Sequence, residues 1–221
     1  MLYPPRVLLA ALLTTASLFA AAPAPKKPAK GPIVISPGEK ISMFGVEAEA
    51  SKYVFVLDRS GSMGGESGKA LAAAKKELVA AIDKLDRVQQ FQIVFYNESP
   101  SVFNPAGKPG RLAFGTEQNK AEAKKFIESI ASDGGTDHEE ALALALRLRP
   151  DVIFLLTDAD DPKLTARQLD RIDRIGAGVT IHTVEFGTGA QREADNFLVK
   201  LARQSLGKHV YVDASKREGG Q

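Results

Sequence analysis

The sequence predicts an α/β fold in which helices cover both faces of a mostly parallel sheet. From about residue 40 onward, short apolar runs alternate with segments of helical periodicity, the order expected of parallel strands joined by crossover helices. The runs are almost continuously apolar and rich in β-branched and aromatic residues, which is typical of strands buried on both faces. The chain has 221 residues, enough for one globular domain with a sizeable core.

Apolar runs of five to eight residues mark the predicted strands. YVFVL, FQIVFY and VIFLL are the clearest, whereas VTIHTVEF alternates more and is expected nearer an edge. Residues 41–46 are predicted as a short edge strand, and residues 100–114 as an antiparallel edge hairpin because they carry turn residues. The four quoted runs are residues 53–57, 91–96, 152–156 and 179–186, and residues 209–213 are predicted as the last strand.

Helices are predicted between these strands from apolar residues three and four positions apart. Residues 141–148, ALALALRL, have leucine at alternate positions, which is strand periodicity. They contain only strong helix formers and arginine, however, and the preceding TDHE resembles a capping box with Thr136 as the cap. We therefore expect a helix there. The other predicted helices are residues 66–85, 123–130, 169–175 ending at Gly176, and 194–201 ending near Gly207.

Charge and composition exclude several classes of function. The 29 basic and 27 acidic residues give a formal net charge of +2, whereas nucleic-acid-binding proteins usually show a strongly basic patch. We therefore expect no nucleic acid partner. The absence of cysteine excludes disulfides, thiolate zinc sites and cysteine nucleophiles.

The N-terminus predicts export. Arg6 precedes an apolar stretch, residues 7–22, that ends in small residues, the pattern of a secretory signal. Pro23 directly follows the expected cleavage site, and proline at that position hinders cleavage by signal peptidase. Residues 1–22 are therefore either a cleaved signal peptide or a membrane anchor. The expected location is the periplasm, the medium or the outer face of a membrane. The predicted domains are 1–22 as signal or anchor, 23–37 as a Pro/Ala/Lys-rich linker, 38–215 as the globular domain and 216–221 as a tail.

The stretch DRSGSMGGESGK, residues 58–69, follows the first central strand and allows two interpretations. A phosphate-binding P-loop requires G-x-x-x-x-G-K-[ST]. Met63 occupies the position of its first glycine, and Ala70 replaces the hydroxyl residue after the lysine. The nucleotide interpretation therefore fails, and the first half of the stretch remains as a candidate metal site.

Oxygen-bearing side chains are predicted to converge on this first half. In parallel sheets ligands bind at the carboxyl ends of the strands, where two carboxylates and three hydroxyls fall. Hard oxygen ligands of this kind favour Mg²⁺ or Mn²⁺, with Ca²⁺ as a third candidate. Two carboxylates would neutralise the ion, and the neutral hydroxyls would leave it able to accept a partner's carboxylate. The candidate ligands are Asp58, Ser60, Ser62, Thr136 and Asp158.

The combination of DRSGSM, GGTD and TDADD resembles the von Willebrand factor type A (VWA) domain family. In that family Asp-x-Ser-x-Ser, a distant Thr and a distant Asp form the metal ion-dependent adhesion site (MIDAS), and all five positions are filled here. The resemblance spans about residues 50–213 and looks most like exported bacterial members. It implies a Rossmann-like three-layer sandwich with a six-stranded, mostly parallel sheet and one antiparallel edge strand. It also implies metal-dependent binding of a partner's Asp or Glu.

Three functions compete at the level of sequence. The leading one is an extracytoplasmic, non-enzymatic protein-binding module for adhesion or assembly. A metal-free scaffold on the same fold is the first alternative. A Mg²⁺-dependent phosphoryl-transfer enzyme is the second, although Ser60 stands where the second Asp of an aspartyl nucleophile motif is expected and no histidine is evident as a base for the serines.

Overall fold

A computed structural model describes residues 39–65, 68–107, 110–159 and 162–216. All of these residues belong to one compact unit, Ser36–Gln221. The predicted signal or anchor (1–22), the linker (23–37) and the tail after Lys216 lie outside the described residues and stay predictions. No helix in the described ranges has the length and apolar character needed to cross a membrane.

Seven strands form the main sheet in the described part of the chain. They are β3 (Lys52–Asp58), β4 (Gln90–Tyr96), β5 (Pro100–Val102), β6 (Ala113–Phe114), β7 (Val152–Thr157), β8 (Thr180–Gly187) and β9 (His209–Asp213). Five of these strands run parallel in the order β4-β3-β7-β8-β9, and β5 and β6 pair antiparallel with β4 at the edge of the sheet.

The mostly parallel α/β sheet is therefore confirmed, with a difference at its edge. The two described strands in residues 100–114, β5 and β6, do not pair with each other as a hairpin would. β5 pairs with Val94–Tyr96 and β6 with Gln90–Phe91, so both short strands follow the same edge of β4. The sheet therefore has seven strands instead of the expected six, because two short strands pair with β4.

The expected edge strand at residues 41–46 is wrong. β1 (Ile41–Met43) and β2 (Val46–Ala48) pair with each other in a separate hairpin. Phe44 and Gly45 form its two-residue turn with φ angles of 50° and 83°, the positive values that such tight hairpin turns need. The Phe44 ring packs edge-on against Phe186 of the main sheet at 5.2 Å. The hairpin thus covers a face of the sheet instead of extending its edge.

Helices cover both faces as predicted, including the ambiguous segment at residues 141–148. Its cap differs from the prediction, because Asp137 and not Thr136 accepts the hydrogen bond that starts the helix, from the Glu140 amide at 2.9 Å. The helices are α1 (Gly61–Gly64), α2 (Lys69–Asp83), α3 (Glu117–Ser129), α4 (His138–Arg147), α5 (Ala166–Ile175), α6 (Phe197–Gln204) and a final 3₁₀ turn (Ala214–Lys216).

Two hydrophobic clusters lie on opposite faces of the sheet. Phe55 and Leu57 of β3 belong to the cluster under α2, α3 and the hairpin, whereas Val54 and Val56 belong to the cluster under α4, α5 and α6. With both faces covered, ligands have access to the sheet at the ends of its strands. The chain leaves β3 toward β4 on one side and later returns to β7 on the other. This change of direction opens a crevice at the carboxyl ends of β3 and β7.

Candidate metal centre

Asp58 lies in this crevice, at the end of β3. It is fully buried, and its two carboxylate oxygens accept hydrogen bonds from the Ser60 amide at 2.8 Å and the Thr157 hydroxyl at 2.6 Å. Within the described ranges, no basic side chain forms an ion pair with Asp58. Buried charges in proteins are normally paired with an opposite charge or bound to a metal. The environment of Asp58 therefore fits a nearby cation.

Ser60 and Ser62 lie in the turn that follows β3. Their hydroxyl oxygens are 3.1 Å apart, with Ser60 buried and Ser62 exposed. α1 begins directly after Ser60, so a single helical turn curls the chain and brings the two side chains together. This is the curled loop that the spacing of Asp58, Ser60 and Ser62 predicts.

The loop at residues 131–137 is hydrogen-bonded to this turn through the backbone. The Gly61 amide donates to the Gly134 carbonyl and the Asp133 amide donates to the Arg59 carbonyl, both at 2.9 Å. Gly134 has a φ angle of 69°, and a Cβ there would lie 2.9 Å from the Asn97 amide nitrogen. A larger residue would thus be strained and would push the loops apart.

Thr136 belongs to the same loop and is partly buried. Because Asp137 caps α4, the Thr136 hydroxyl is not used as a helix cap. It also makes no hydrogen bond with another residue in the described part of the chain. The structure thus places Thr136 in a loop bonded to the Ser60–Ser62 turn and leaves its hydroxyl available as a ligand.

Asp158 follows β7 directly, beside β3 in the sheet. It is partly buried and lines, together with Ser62, a cleft of about 420 Å³. The next residue, Ala159, has a φ angle of 60° and donates its amide to the Thr157 hydroxyl at 3.1 Å. The chain therefore turns sharply after Asp158, which holds this carboxylate at the edge of the sheet near Ser62.

The donor set matches a hard divalent cation. It consists of two carboxylates and three hydroxyls, and oxygen ligands of these types bind Mg²⁺, Mn²⁺ and Ca²⁺. No group of three or more His, Cys, Asp or Glu side chains among the described residues is placed to hold a metal. A metal at this edge would therefore depend on the serine and threonine hydroxyls as well as on Asp58 and Asp158.

Asn97 and Thr157 support the site but were missed by the sequence analysis. The Asn97 side chain accepts from Arg59 at 3.2 Å and donates to the Asp133 carbonyl at 2.9 Å. The backbone carbonyl of Asn97 accepts from the Asp137 amide at 2.8 Å. Thr157 donates to Asp58. Asn97 directly follows the apolar run of β4, and Thr157 is the last residue of β7. Both therefore lie at the carboxyl ends of strands, where ligands were expected, and this position could have identified them from the sequence.

Tyr96 lies behind the site and links it to α4. Burial, and then the negative charge of Asp58, raise the pKa of Tyr96 well above its usual value. The hydroxyl consequently stays neutral, and it lies 2.8 Å from Nδ1 of the buried His138. This contact anchors the start of α4 against β4.

Comparisons with known proteins identify the family to which this fold belongs. A protein-family model for the von Willebrand factor type A domain matches residues 51–211. Inter-alpha-trypsin inhibitor heavy chain H2 of Mus musculus is 29% identical over 169 residues, which cover 70% of this chain and 17% of that protein. A solved structure titled von Willebrand factor type A from Catenulispora acidiphila is 27% identical, with a TM-score of 0.65, over 77% of this chain and 41% of that one.

A more distant structure shares the fold. Proximal thread matrix protein 1 from the mussel byssus, with a zinc-occupied MIDAS motif, is 18% identical with a TM-score of 0.54, over 75% of this chain and 42% of that one. The chain thus spans less than half the length of each of these proteins. The family model extends from the residue before β3 into β9. With the MIDAS sequence pattern, the parallel sheet and this match in agreement, the chain belongs to the von Willebrand factor type A domain family.

Proposed function

We propose that this chain is a non-enzymatic protein-binding module that holds a divalent ion and binds an acidic group of a partner protein. Asp58, Ser60, Ser62, Thr136 and Asp158 would hold the ion. The observation that carries the proposal is the fully buried Asp58 carboxylate, which has no basic partner among the described residues. Its two hydrogen bonds offset part of the cost of burial, and a cation would offset the remainder.

The proposed ligands have distinct roles. Asp58 and Asp158 would neutralise the charge of the ion, whereas the three hydroxyls would ligate it without adding negative charge. A bound Mg²⁺ or Mn²⁺ ion would supply an electrophilic position for a carboxylate oxygen of the partner. Asn97 and Thr157 hold the surrounding loops in place through their hydrogen bonds, and such outer partners orient metal ligands in proteins.

The cellular setting is part of the proposal. An N-terminal signal or anchor at residues 1–22 would place the domain outside the cytoplasm, either free or attached through residues 7–22. The finer placement among exported bacterial members likewise rests on the sequence.

A binding role is favoured over catalysis because no histidine hydrogen-bonds to Ser60 or Ser62 in the described part of the chain. The chain has three histidines, and each of them makes a hydrogen bond with another group. A serine nucleophile needs such a base within hydrogen-bond reach. The contacts are with the Tyr96 hydroxyl for His138 at 2.8 Å, the Lys208 amide for His182 at 3.0 Å and the Thr183 hydroxyl for His209 at 2.9 Å.

The proposal is tested by calorimetric titration of the 221-residue chain with Mg²⁺, Mn²⁺ and Ca²⁺. Asp58→Ala is the test variant. Asp151→Ala is the matched control, because Asp151 also accepts backbone hydrogen bonds at a strand end but lies at the other end of the sheet. We expect one ion per chain for the parent and the control, and none for Asp58→Ala.

The partner half of the proposal needs a carboxylate probe. In the presence of the ion, a blocked Gly-Asp-Gly peptide should bind, and the matching Gly-Asn-Gly peptide should not. If no ion binds the parent alone, the titration is repeated with acetate, which can complete the coordination shell. Failure to bind any ion with acetate present would reject the metal site and leave the metal-free scaffold.

A further inference from the structure

The cleft beside the candidate metal centre extends away from it toward β9. Ser62 and Asp158 line its near side, the segment after β8 lines one wall and Tyr211 of β9 lines the far side. Its volume of about 420 Å³ falls within the range of about 300–1,000 Å³ typical of small-ligand sites. A segment bound at the metal would therefore have room to continue into this cleft.

Hydrogen bonds and an ion pair hold the walls of the cleft in place. Lys163 and Glu193 join the segments after β7 and β8 through an ion pair of 2.8 Å. The Tyr211 hydroxyl donates to the Gly189 carbonyl at 3.1 Å, and the Gly189 amide donates to Asp213 at 3.1 Å. The cleft is thus built from connected segments, so binding a ligand requires little ordering of the chain.

The two glutamates that line this part of the cleft, Glu185 and Glu193, already have hydrogen-bond or ion-pair partners. Glu193 pairs with Lys163. Glu185 accepts from Asn196 at 2.7 Å and from Gln191 at 3.0 Å, and lies 3.3 Å from His209. Burial alone would raise the pKa of Glu185, but these hydrogen bonds outweigh it and lower the pKa. Glu185 therefore stays ionised and occupied by its own neighbours.

Arg192 differs from these groups because its guanidinium makes no hydrogen bond or ion pair with any residue that the structure describes. It is exposed and lines the cleft near Tyr211. Burial and the charges of Asp213 and Glu185 raise the pKa of Tyr211, and the positive charge of Arg192 opposes that rise. Arg192 thus brings to the side of the cleft away from the metal centre a guanidinium that no described carboxylate pairs with directly.

We propose that Arg192 binds a second carboxylate of the partner, so that the module recognises a segment with two acidic side chains. The first would bind at the metal and the second would lie in the cleft. A guanidinium matches a carboxylate because its N–H groups donate two parallel hydrogen bonds to the two oxygens. This inference rests on the proposed function, since it assigns the first carboxylate to the metal.

The test uses NMR titration of the full chain with synthetic peptides in saturating Mg²⁺. One peptide carries a single Asp among Gly and Ser residues, and a series adds a second Asp one to four residues away on either side. At least one member of the series should bind about tenfold more tightly than the single-Asp peptide, as expected for one added charge-assisted contact. Replacing its second Asp by Asn should remove the gain.

Arg192→Glu should abolish the gain, while Mg²⁺ and the single-Asp peptide should still bind. Arg174→Glu makes the same charge change at an exposed position near the end of α5 and should keep the full gain. If the single-Asp peptide binds but no second Asp helps, or if the gain survives Arg192→Glu, this inference fails alone. If Mg²⁺ or the single-Asp peptide does not bind, the proposed function fails and this inference fails with it.

Discussion

The two ends of the parallel sheet each carry an aspartate that accepts a backbone hydrogen bond, but the two differ in their surroundings. At the amino ends, Asp151 accepts from the Ser51 and Lys52 amides at 3.0 and 2.8 Å and remains exposed. At the carboxyl ends, Asp58 accepts from Ser60 and Thr157 and is fully buried.

This difference shows why hydrogen bonding alone does not identify a site. Water solvates the exposed charge of Asp151, so its hydrogen bonds suffice and a cation adds little. Asp58 has no exposed surface, and the two groups that hydrogen-bond to it, one amide and one hydroxyl, are uncharged. A buried charge of this kind favours a bound cation. Burial, more than the number of hydrogen bonds, separates the candidate metal ligand from the structural aspartate.

The largest effect is expected from metal binding at one end of the sheet only. At a concentration of 100 times its Kd, Mg²⁺ should raise the free energy of unfolding of the parent by about 2.7 kcal/mol. Asp58→Asn should lose this gain while staying within about 1 kcal/mol of the metal-free parent, because Asn can still accept from the Ser60 amide. Asp151→Asn should keep the gain. Urea unfolding with Mg²⁺ and with EDTA measures this gain for the parent and the two variants. Equal gains in Asp58→Asn and Asp151→Asn would contradict the difference between the two aspartates.

A smaller effect is expected from the hydroxyl that supports Asp58. Thr157→Val keeps the side-chain shape but removes the 2.6 Å hydrogen bond to the carboxylate. We expect a loss of about 1–3 kcal/mol in the free energy of unfolding without metal, and a roughly 10- to 100-fold weaker affinity for Mg²⁺. Calorimetry and urea unfolding check the two values. Thr180→Val, at the start of β8, is the control and should leave the affinity for Mg²⁺ unchanged.

The smallest effect is expected from the ionisation of Tyr53, near the amino ends of the strands, because it changes stability only at high pH. Burial raises its pKa from 10.0 to about 12. Since the folded pKa lies above the unfolded one, the folded state favours the neutral phenol. This contribution to stability is complete below pH 10 and is lost as the pH rises toward about 12. Absorbance at 295 nm should show a tyrosine that ionises near pH 12 in the parent and is missing in Tyr53→Phe, and Tyr53→Phe should flatten the fall in stability above pH 10.

The fold was largely predictable because the strand signals are strong and local. The central strands β3, β4 and β7 are nearly continuous apolar runs, and such runs are typical of strands buried on both faces. Residues 141–148 were also predictable, since helix propensity opposed the alternating leucines. The hairpin at residues 41–48 was not predictable, because a short apolar segment has the same sequence pattern at the edge of a sheet as on its face. The pairing of β1 with β2 and the contact of Phe44 with Phe186 show that it lies on the face.

The candidate site divides in the same way. The sequence by itself determined which candidate residues carry side-chain oxygens and that they fall near strand ends, because residue type and spacing are local properties. The tertiary structure alone decided that Asp58 is buried, that Asp137 caps α4 in place of Thr136, and that Arg192 lines a cleft beside the site. Burial and charge compensation depend on segments far apart along the chain, and folding brings those segments together.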